Sequence, residues 1–332
     1  MTTTLTAPTE ETSAGQGIVA GLRNRLQQFL AFASLIVIFA FFSFASPDFF
    51  SYGNVTSILF STVVIGTLAL GTTFVIITSG IDLSIGTGMA LCAVMAGVFI
   101  TNMGMPIALG VPLTILFGGL IGLVNGFNVA ILKIPPFIAT LAMMLVAQGL
   151  ALVISHSAPI YFSDSPGYVK ISTGNIIPNF PNAVLVLAAA AVISGVLLTR
   201  TILGRYTYSI GSNEEATGLS GINVRKWKIV IYAFAGLFIG LAGVMISARL
   251  GSAQPATGMG YELQAIAAVV IGGTSLAGGK GSIVGTVIGA LIISVINNGL
   301  QIMSIPQEWQ NVILGVVILF AVYADMVRKR EN

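Results

Sequence analysis

The chain holds a single cysteine, Cys92, and a single histidine, His156. One cysteine excludes an intramolecular disulfide framework and a cysteine metal cluster. The histidine ends an apolar run with no partner at ligand spacing, so it reads as an ordinary loop residue. Metal chemistry is therefore disfavoured. Charge is also scarce: 8% of residues are Asp, Glu, Lys or Arg, against roughly 25% in a soluble domain. No stretch is polar enough to build a soluble catalytic domain. Neither a P-loop nor a dinucleotide glycine fingerprint with its acidic residue is present. The chain itself is thus expected to bind no cofactor, and any ATP and Mg must sit on a partner. Paired carboxylates and a nucleophile with its base are lacking as well, which argues against an integral membrane enzyme. A net charge of +3 is no nucleic-acid signal.

What the chain has in abundance is hydrocarbon: 55% of its residues are hydrophobic, and 39 of 332 are glycine. Small residues let membrane helices approach closely. A span takes about 20 apolar residues, and apolar windows fall at 29–45, 58–77, 84–100, 107–132, 137–154, 183–198, 229–248, 263–276, 283–296 and 312–324. These predict an all-α, polytopic bundle of about ten spans. The eighth and ninth are short and glycine-rich, and fit a bent hairpin or a re-entrant pair.

Charge distribution orients the bundle. With the N-terminus in the cytoplasm, Arg23, Arg25, Lys133, Arg200, Arg205, Arg225, Lys226, Lys228, Lys280, Arg328, Lys329 and Arg330 fall inside. Only Lys170 and Arg249 of the 14 basic residues fall outside. An odd number of spans would export the Arg328–Arg330 cluster, so both termini are expected to be cytoplasmic. Trp309 and Tyr323 flank the last span as interfacial aromatics. Residues 1–22, Thr-rich with acids and no apolar run, read as a disordered cytoplasmic tail. Arg23 and Arg25 before an apolar run resemble a signal-peptide start; the length of the run and the spans that follow favour an uncleaved first helix. Residues 23–328 form a single transmembrane domain, and 329–332 a short cytoplasmic tail. The external segment 156–182 carries Pro159, Pro166, Pro178 and Pro181, and reads as a turn-rich cap. It is a candidate dock for an extracytoplasmic partner.

The polar stretch 200–228, RTILGRYTYSIGSNEEATGLSGINVRKWK, stands out between apolar runs. Ser212-Asn213-Glu214-Glu215 fits a capping box, with Ser212 as the cap and Glu215 bonding back. Two carboxylates suit a helix N-terminus. Ala216, Thr217 and Leu219 continue a turn or two, limited by Gly218 and by Gly221 as the stop. So short a helix needs a surface to pack on, and a cytoplasmic ATPase subunit is the partner that would supply it.

Inside the spans, polar residues mark the substrate pathway or interhelical bonds. Asp82, in Gly80-Ile81-Asp82-Leu83-Ser84, is placed near the cytoplasmic face, either capping the next helix with Ser84 or gating. Asn125 and Asn128 share a helix face. Thr140 lies early in the fifth span, Gln148 lies within it, and Asn297 and Asn298 end the ninth. Neutral groups of this kind suit a sugar. Glu262, after Gly258, Gly260 and Tyr261, reads as interfacial.

Four segments carry a family resemblance. GSNEEATGLSGINVRKWK resembles the coupling segment of inner-membrane permeases from ribose/monosaccharide-type ABC importers. TSGIDLSIG (78–86), GLVNGFNVAILKIPPFIATLAMM (122–144) and AVVIGGTSLAGGKGSIVGTVIGALI (268–292) are similar to that family's glycine–aspartate, central and C-terminal glycine-rich segments. They follow in family order, and the resemblance spans about residues 49–329. Glu215 departs from it, since the family favours a small residue there. The resemblance implies a bacterial cytoplasmic (inner) membrane protein for carbohydrate import. Two permease chains, identical or paralogous, would form the pore. An ATPase with tandem nucleotide domains would grip Ser212, Asn213, Glu214, Glu215, Ala216, Gly218 and Gly221. An extracytoplasmic sugar-binding protein would deliver the cargo. A nucleoside or a sugar-like signal molecule is the alternative cargo. An ion-coupled secondary transporter is the alternative mechanism, for which Asp82 alone would be available.

Overall fold

A computed structural model describes residues 29–330; the expected tail 1–22, together with Arg23 and Arg25, lies outside the described residues. Seven helices are long and apolar enough to cross a membrane. They are α2 (Tyr52–Ile77), α3 with its π-helical extension (Ile85–Asn102), α4 (Ile107–Ala130), α5 (Pro136–Ile154), α7 (Asn182–Arg200), α10 (Val224–Leu250) and α12 (Ile283–Ile302). Shorter apolar stretches are α1 (Phe29–Ala45), α11 (Tyr261–Ile271) and Gln307–Tyr323; the last lies within α13 (Gln307–Arg330). Between the spans sit α6 (Pro166–Thr173), α8 (Ile202–Ser212), α9 (Glu214–Leu219), β1 (Ile160–Tyr161) and β2 (Ser252–Ala253).

α2 is the mast of the bundle. Every residue from Thr62 to Ile77 is buried, and the helix is packed by α7, α8, α10, α11 and α12. A helix that is apolar all round belongs in an interior. Thr62, Thr72 and Thr73 bond back to the helix, as Thr72 Oγ1 does to the Leu68 carbonyl at 2.9 Å, while Thr67 Oγ1 is enclosed without a partner. A further bond crosses to a neighbour, with Thr73 and Thr286 hydroxyls 2.8 Å apart. α4 and α10 cross more intimately. Gly118 and Gly122 of α4 lie against the backbone of Gly236 in α10, where any Cβ would strike main chain. Dispersion between backbones holds such a crossing where lipid supplies no hydrophobic drive. Leu116, Leu145, Val153 and Val192, on α4, α5 and α7, are exposed and form the outer apolar face.

The two ends of the bundle are built differently. At one end, segment 156–182 is more ordered than its prolines suggest. β1 pairs antiparallel with β2, Ile160 opposite Ala253. The Tyr168 hydroxyl of α6 lies 2.7 Å from Ser247 Oγ of α10, and Tyr168 and Phe162 are buried with ring centroids 4.2 Å apart. At the other end, the Gly279 amide donates to the Ile77 carbonyl at 2.8 Å. The Tyr208 hydroxyl of α8 donates to the Gly281 carbonyl at 2.8 Å. These bonds join the end of α2, α8 and the turn before α12.

Candidate functional site: a buried polar core and a short terminal helix

Residues 78–84 leave α2 and turn back into the bundle before α3 begins. Asp82 is 1% exposed. Its Oδ1 accepts from the Ser84 amide at 2.9 Å and the Ser84 hydroxyl at 2.6 Å. Asn125, fully buried in α4, gives its Nδ2 to Asp82 Oδ2 at 3.3 Å and to Ser84 Oγ at 2.8 Å. Hydrogen bonds of this kind make a buried carboxyl group tolerable. Thr140 Oγ1 joins from α5, bonding the Pro136 carbonyl at 2.8 Å and reaching the Ile81 carbonyl at 3.3 Å. Three of the expected pathway residues, Asp82, Asn125 and Thr140, therefore meet around one turn. Asn128 does not join them. It is half-buried, and its carbonyl takes the Ile134 amide.

Two atoms of this core have no hydrogen-bond partner: Asn125 Oδ1 and the Tyr232 hydroxyl. Tyr232, in α10, is 1% exposed and its hydroxyl packs over Gly80. Sequence reasoning passed over it, because a lone tyrosine in an apolar run reads as core. Its only signal was a hydroxyl eight residues inside a span, where an unmet polar group is costly.

Of the remaining expected residues, Gln148 and Asn297 reach the start of α11. Gln148 Nε2 lies 3.3 Å from Met259 Sδ, and Asn297 Nδ2 donates to Gln264 Oε1 at 3.1 Å. Asn298 Oδ1 is enclosed without a partner. Asn297 and Asn298 do not end a helix, as the hydropathy window had placed them; α12 continues to Ile302. The window 263–276 is likewise too long, because α11 stops at Ile271 and residues 275–282 are a turn and connection. Glu262 needs the largest correction. It is not interfacial but buried, 8% exposed. Its Oε1 takes the Gly260 amide at 3.0 Å, and its carboxylate lies where a side chain on Gly86 would stand.

The stretch 200–228 is largely helical rather than a loop. α8 runs to Ser212, which ends it rather than capping the next helix. The cap of α9 is Asn213, whose Oδ1 accepts the Ala216 amide at 2.9 Å. The amphipathic α8 had absorbed Ser212, leaving the next extended residue to cap. Glu214 and Glu215 occupy the first turn of α9, and Gly221 has the left-handed φ of 83° expected of a stop. Lys228 belongs to α10, and its Nζ meets Glu214 Oε2 at 2.6 Å. Ser209 and Thr217 hydroxyls, 2.8 Å apart, pin α9 to α8, and Tyr206 stacks edge-on against Trp227 at 4.7 Å. Burial pushes the Tyr208 phenol above its ordinary range, so it stays a donor. Leu219, at the tip, is 85% exposed. Beside α9 lies an open cavity of about 580 Å³, bordered by Lys133, Pro135, Glu214, Glu215, Leu219 and Arg225.

Comparison with known proteins agrees with this architecture. Residues 54–322 match the family model described as branched-chain amino acid transport system / permease component. The ribose import permease RbsC of Haemophilus influenzae is 43% identical over 298 residues, 89% of this chain and 92% of its own. RbsC of Bacillus subtilis is 43% identical over 307 residues, covering 92% and 94%. The xylose transport system permease XylH of Escherichia coli K12 is 34% identical, covering 95% and 96%. With the match running through the buried core, α9 and all seven long apolar helices, this multi-pass membrane protein belongs to the permease family of sugar ABC importers.

Proposed function

We propose that the chain is the pore-forming subunit of an ATP-driven sugar importer in the bacterial cytoplasmic membrane. It crosses ten times with both ends in the cytoplasm, counting α1, α11 and α13 among the crossings. A binding protein on the outside delivers a monosaccharide, and segment 156–182 receives it. A separate ATPase grips α9 inside, at Asn213, Glu214, Glu215, Ala216 and Gly218, with Ser212 and Gly221 at its two ends. A second permease chain, identical or paralogous, completes the pore. ATP and Mg stay on the ATPase, and the permease does no covalent chemistry.

α9, as a plug, carries this reading. α9 is six residues long, far too short to hold a helix by itself in water, yet it presents an 85% exposed leucine at its tip. A surface that apolar at the end of a braced helix fits insertion into a partner. α9 is pinned to α8, which shares the turn at Gly279–Gly281 with the end of α2, and α2 leads directly to Asp82. Movement of the plug is thereby linked to the polar core. Asp82, Asn125, Asn128, Thr140, Gln148, Asn297 and Asn298 line or brace the route of the cargo. Neutral amides and hydroxyls dominate the set, which suits a polyol without charge. The relatives named for ribose and xylose support the same cargo class.

The test is reconstitution of the permease in proteoliposomes with its ATPase and binding protein. ATP-dependent uptake of ribose or another pentose is the expected result. Uptake of leucine and not of sugars would reject the cargo. Uptake driven by an ion gradient without the ATPase would reject the mechanism in favour of a secondary transporter.

A further inference from the structure

Residues 254–260 are non-helical, and they sit at the wrong depth for a lipid-facing loop. The chain leaves α10 at one end of the bundle, pairs there as β2 with β1, and then turns back inward. Gly258 packs against Gly86, at the start of α3, backbone on backbone. Thr87 Oγ1 bonds the Met144 carbonyl at 2.9 Å, and Gln148 Nε2 reaches Met259 Sδ at 3.3 Å. Met144 and Gln148 lie in the middle of the 19-residue α5. The segment thus descends from the end of the bundle, and its Gly258–Met259 part is level with the centre of a span, well inside the roughly 30 Å hydrocarbon layer.

Its surface is open at that depth. Met259 is 60% exposed, and Ala256 and, next to β2 and nearer the end of the bundle, Gln254 are exposed along the same segment. Irregular backbone does not face lipid in the hydrocarbon layer, because its amides and carbonyls would go unpaired. It is tolerated where it is covered by protein or lines a water-filled path. Interrupted helices with half-helix starts near the midplane are how transporters place a cargo site. Here α3 and α11 both begin at this level, on either side of the Gly86–Gly258 contact. Glu262 turns its carboxylate inward to the Gly260 amide, so the open side carries amides and a thioether.

The geometry points to residues 254–260 as the cargo-contacting wall of the permeation path, with Met259 and Gln254 facing a neutral, polyhydroxylated molecule. The assignment rests on the importer reading above and adds where in the chain the cargo is touched. Main-chain groups and Gln254 exchange hydrogen bonds with hydroxyls, while Met259 packs on the C–H face of the ring.

Substituted cysteines test it, since the native Cys92 is fully buried. Met259→Cys and Gln254→Cys are made in the complete transporter, reconstituted with its ATPase and binding protein. Val192→Cys, on the exposed outer face of α7, sets the background. A membrane-impermeant methanethiosulfonate is the probe. Both path variants should react at least tenfold faster than Val192→Cys during ATP turnover, and reaction should abolish ribose uptake. Reaction no faster than at Val192→Cys would overturn the assignment, as would full modification that leaves uptake intact. ATP-driven ribose uptake by the unsubstituted complex tests the importer reading separately. It can succeed while the labelling result removes the wall.

Discussion

Asp82 accepts three of the hydrogen bonds in the polar core, and removing it leaves donors stranded. In Asp82→Ala the Ser84 amide and hydroxyl lose their acceptor inside the bundle, while Asn125 keeps its bond to Ser84 Oγ. Each stranded donor costs about 1–3 kcal/mol, so the variant should unfold earlier in detergent by thermal scanning. Asp82→Asn keeps an acceptor oxygen and should lose much less. Tyr232 makes the opposite case. Its hydroxyl has no partner to lose, so Tyr232→Phe should unfold at the parent temperature. A fall in uptake without a fall in stability would then assign the hydroxyl to the transport cycle. The types of the core residues were legible in the sequence, because a carboxylate and amides inside apolar runs demand partners. Their grouping was not. Asp82 and Asn125 are 43 positions apart, and nothing local records that a turn after α2 folds inward to meet α4.

Elements show the same division between local signal and packing. Hydropathy located every long helix, with ends off by as much as six residues at α2 and α12. It also marked the helical turn at Glu214, since two acids before Ala216 and a glycine stop are local chemistry. The choice of Asn213 over Ser212 as the cap was out of reach, because it depends on where α8 ends. α8 in turn ends where it docks on Ile77 and Gly279. Averaging over a window also reports apolarity without depth. It placed Glu262 at a boundary, whereas the chain carries it to the middle of the bundle. Two predictions belong to this scale. Asn213→Ala removes the α9 cap, a change that typically costs about 1 kcal/mol. It should weaken co-purification of the ATPase several-fold while the permease still inserts. Glu214 and Gly218 variants should act in the same direction; normal recruitment and transport in both would remove the coupling role from α9. At the α4–α10 crossing, Gly122→Val pushes a branched side chain into main chain at Tyr232 and Gly236. Loss of the folded peak in size-exclusion chromatography is the expected result, in contrast to mild behaviour of Gly149→Ala, where space is open.

On the scale of the whole molecule, orientation is the testable property. The distribution of basic residues predicts a cytoplasmic α9 and an external segment 156–182. Ile176, 79% exposed in that segment, and Leu219, 85% exposed on the plug, are the two reporters. Ile176→Cys should react with an impermeant maleimide in intact spheroplasts. Leu219→Cys should react only after permeabilisation. Reaction of both from the same side would remove α7, the one span between them, as a crossing.

The complete burial of α2 carries a consequence for biogenesis. A chain enters the membrane in order of synthesis, so α2 is inserted before α7, α10, α11 and α12 exist to cover it. During that interval its whole circumference must be compatible with acyl chains. Its mean hydropathy of 2.0 over an 18-residue window meets that need, and Thr62, Thr72 and Thr73 are already satisfied by their own helix. The later helices then replace lipid around it by packing, without any change in its secondary structure. α11 has no such independence. With 11 residues, about 16 Å of helix, it falls short of a bilayer and must be held by α12, which follows it. A nascent chain that ends after α10 should therefore hold α2 stably across the membrane, while one that ends after α11 should leave that last segment unlodged until α12 is made.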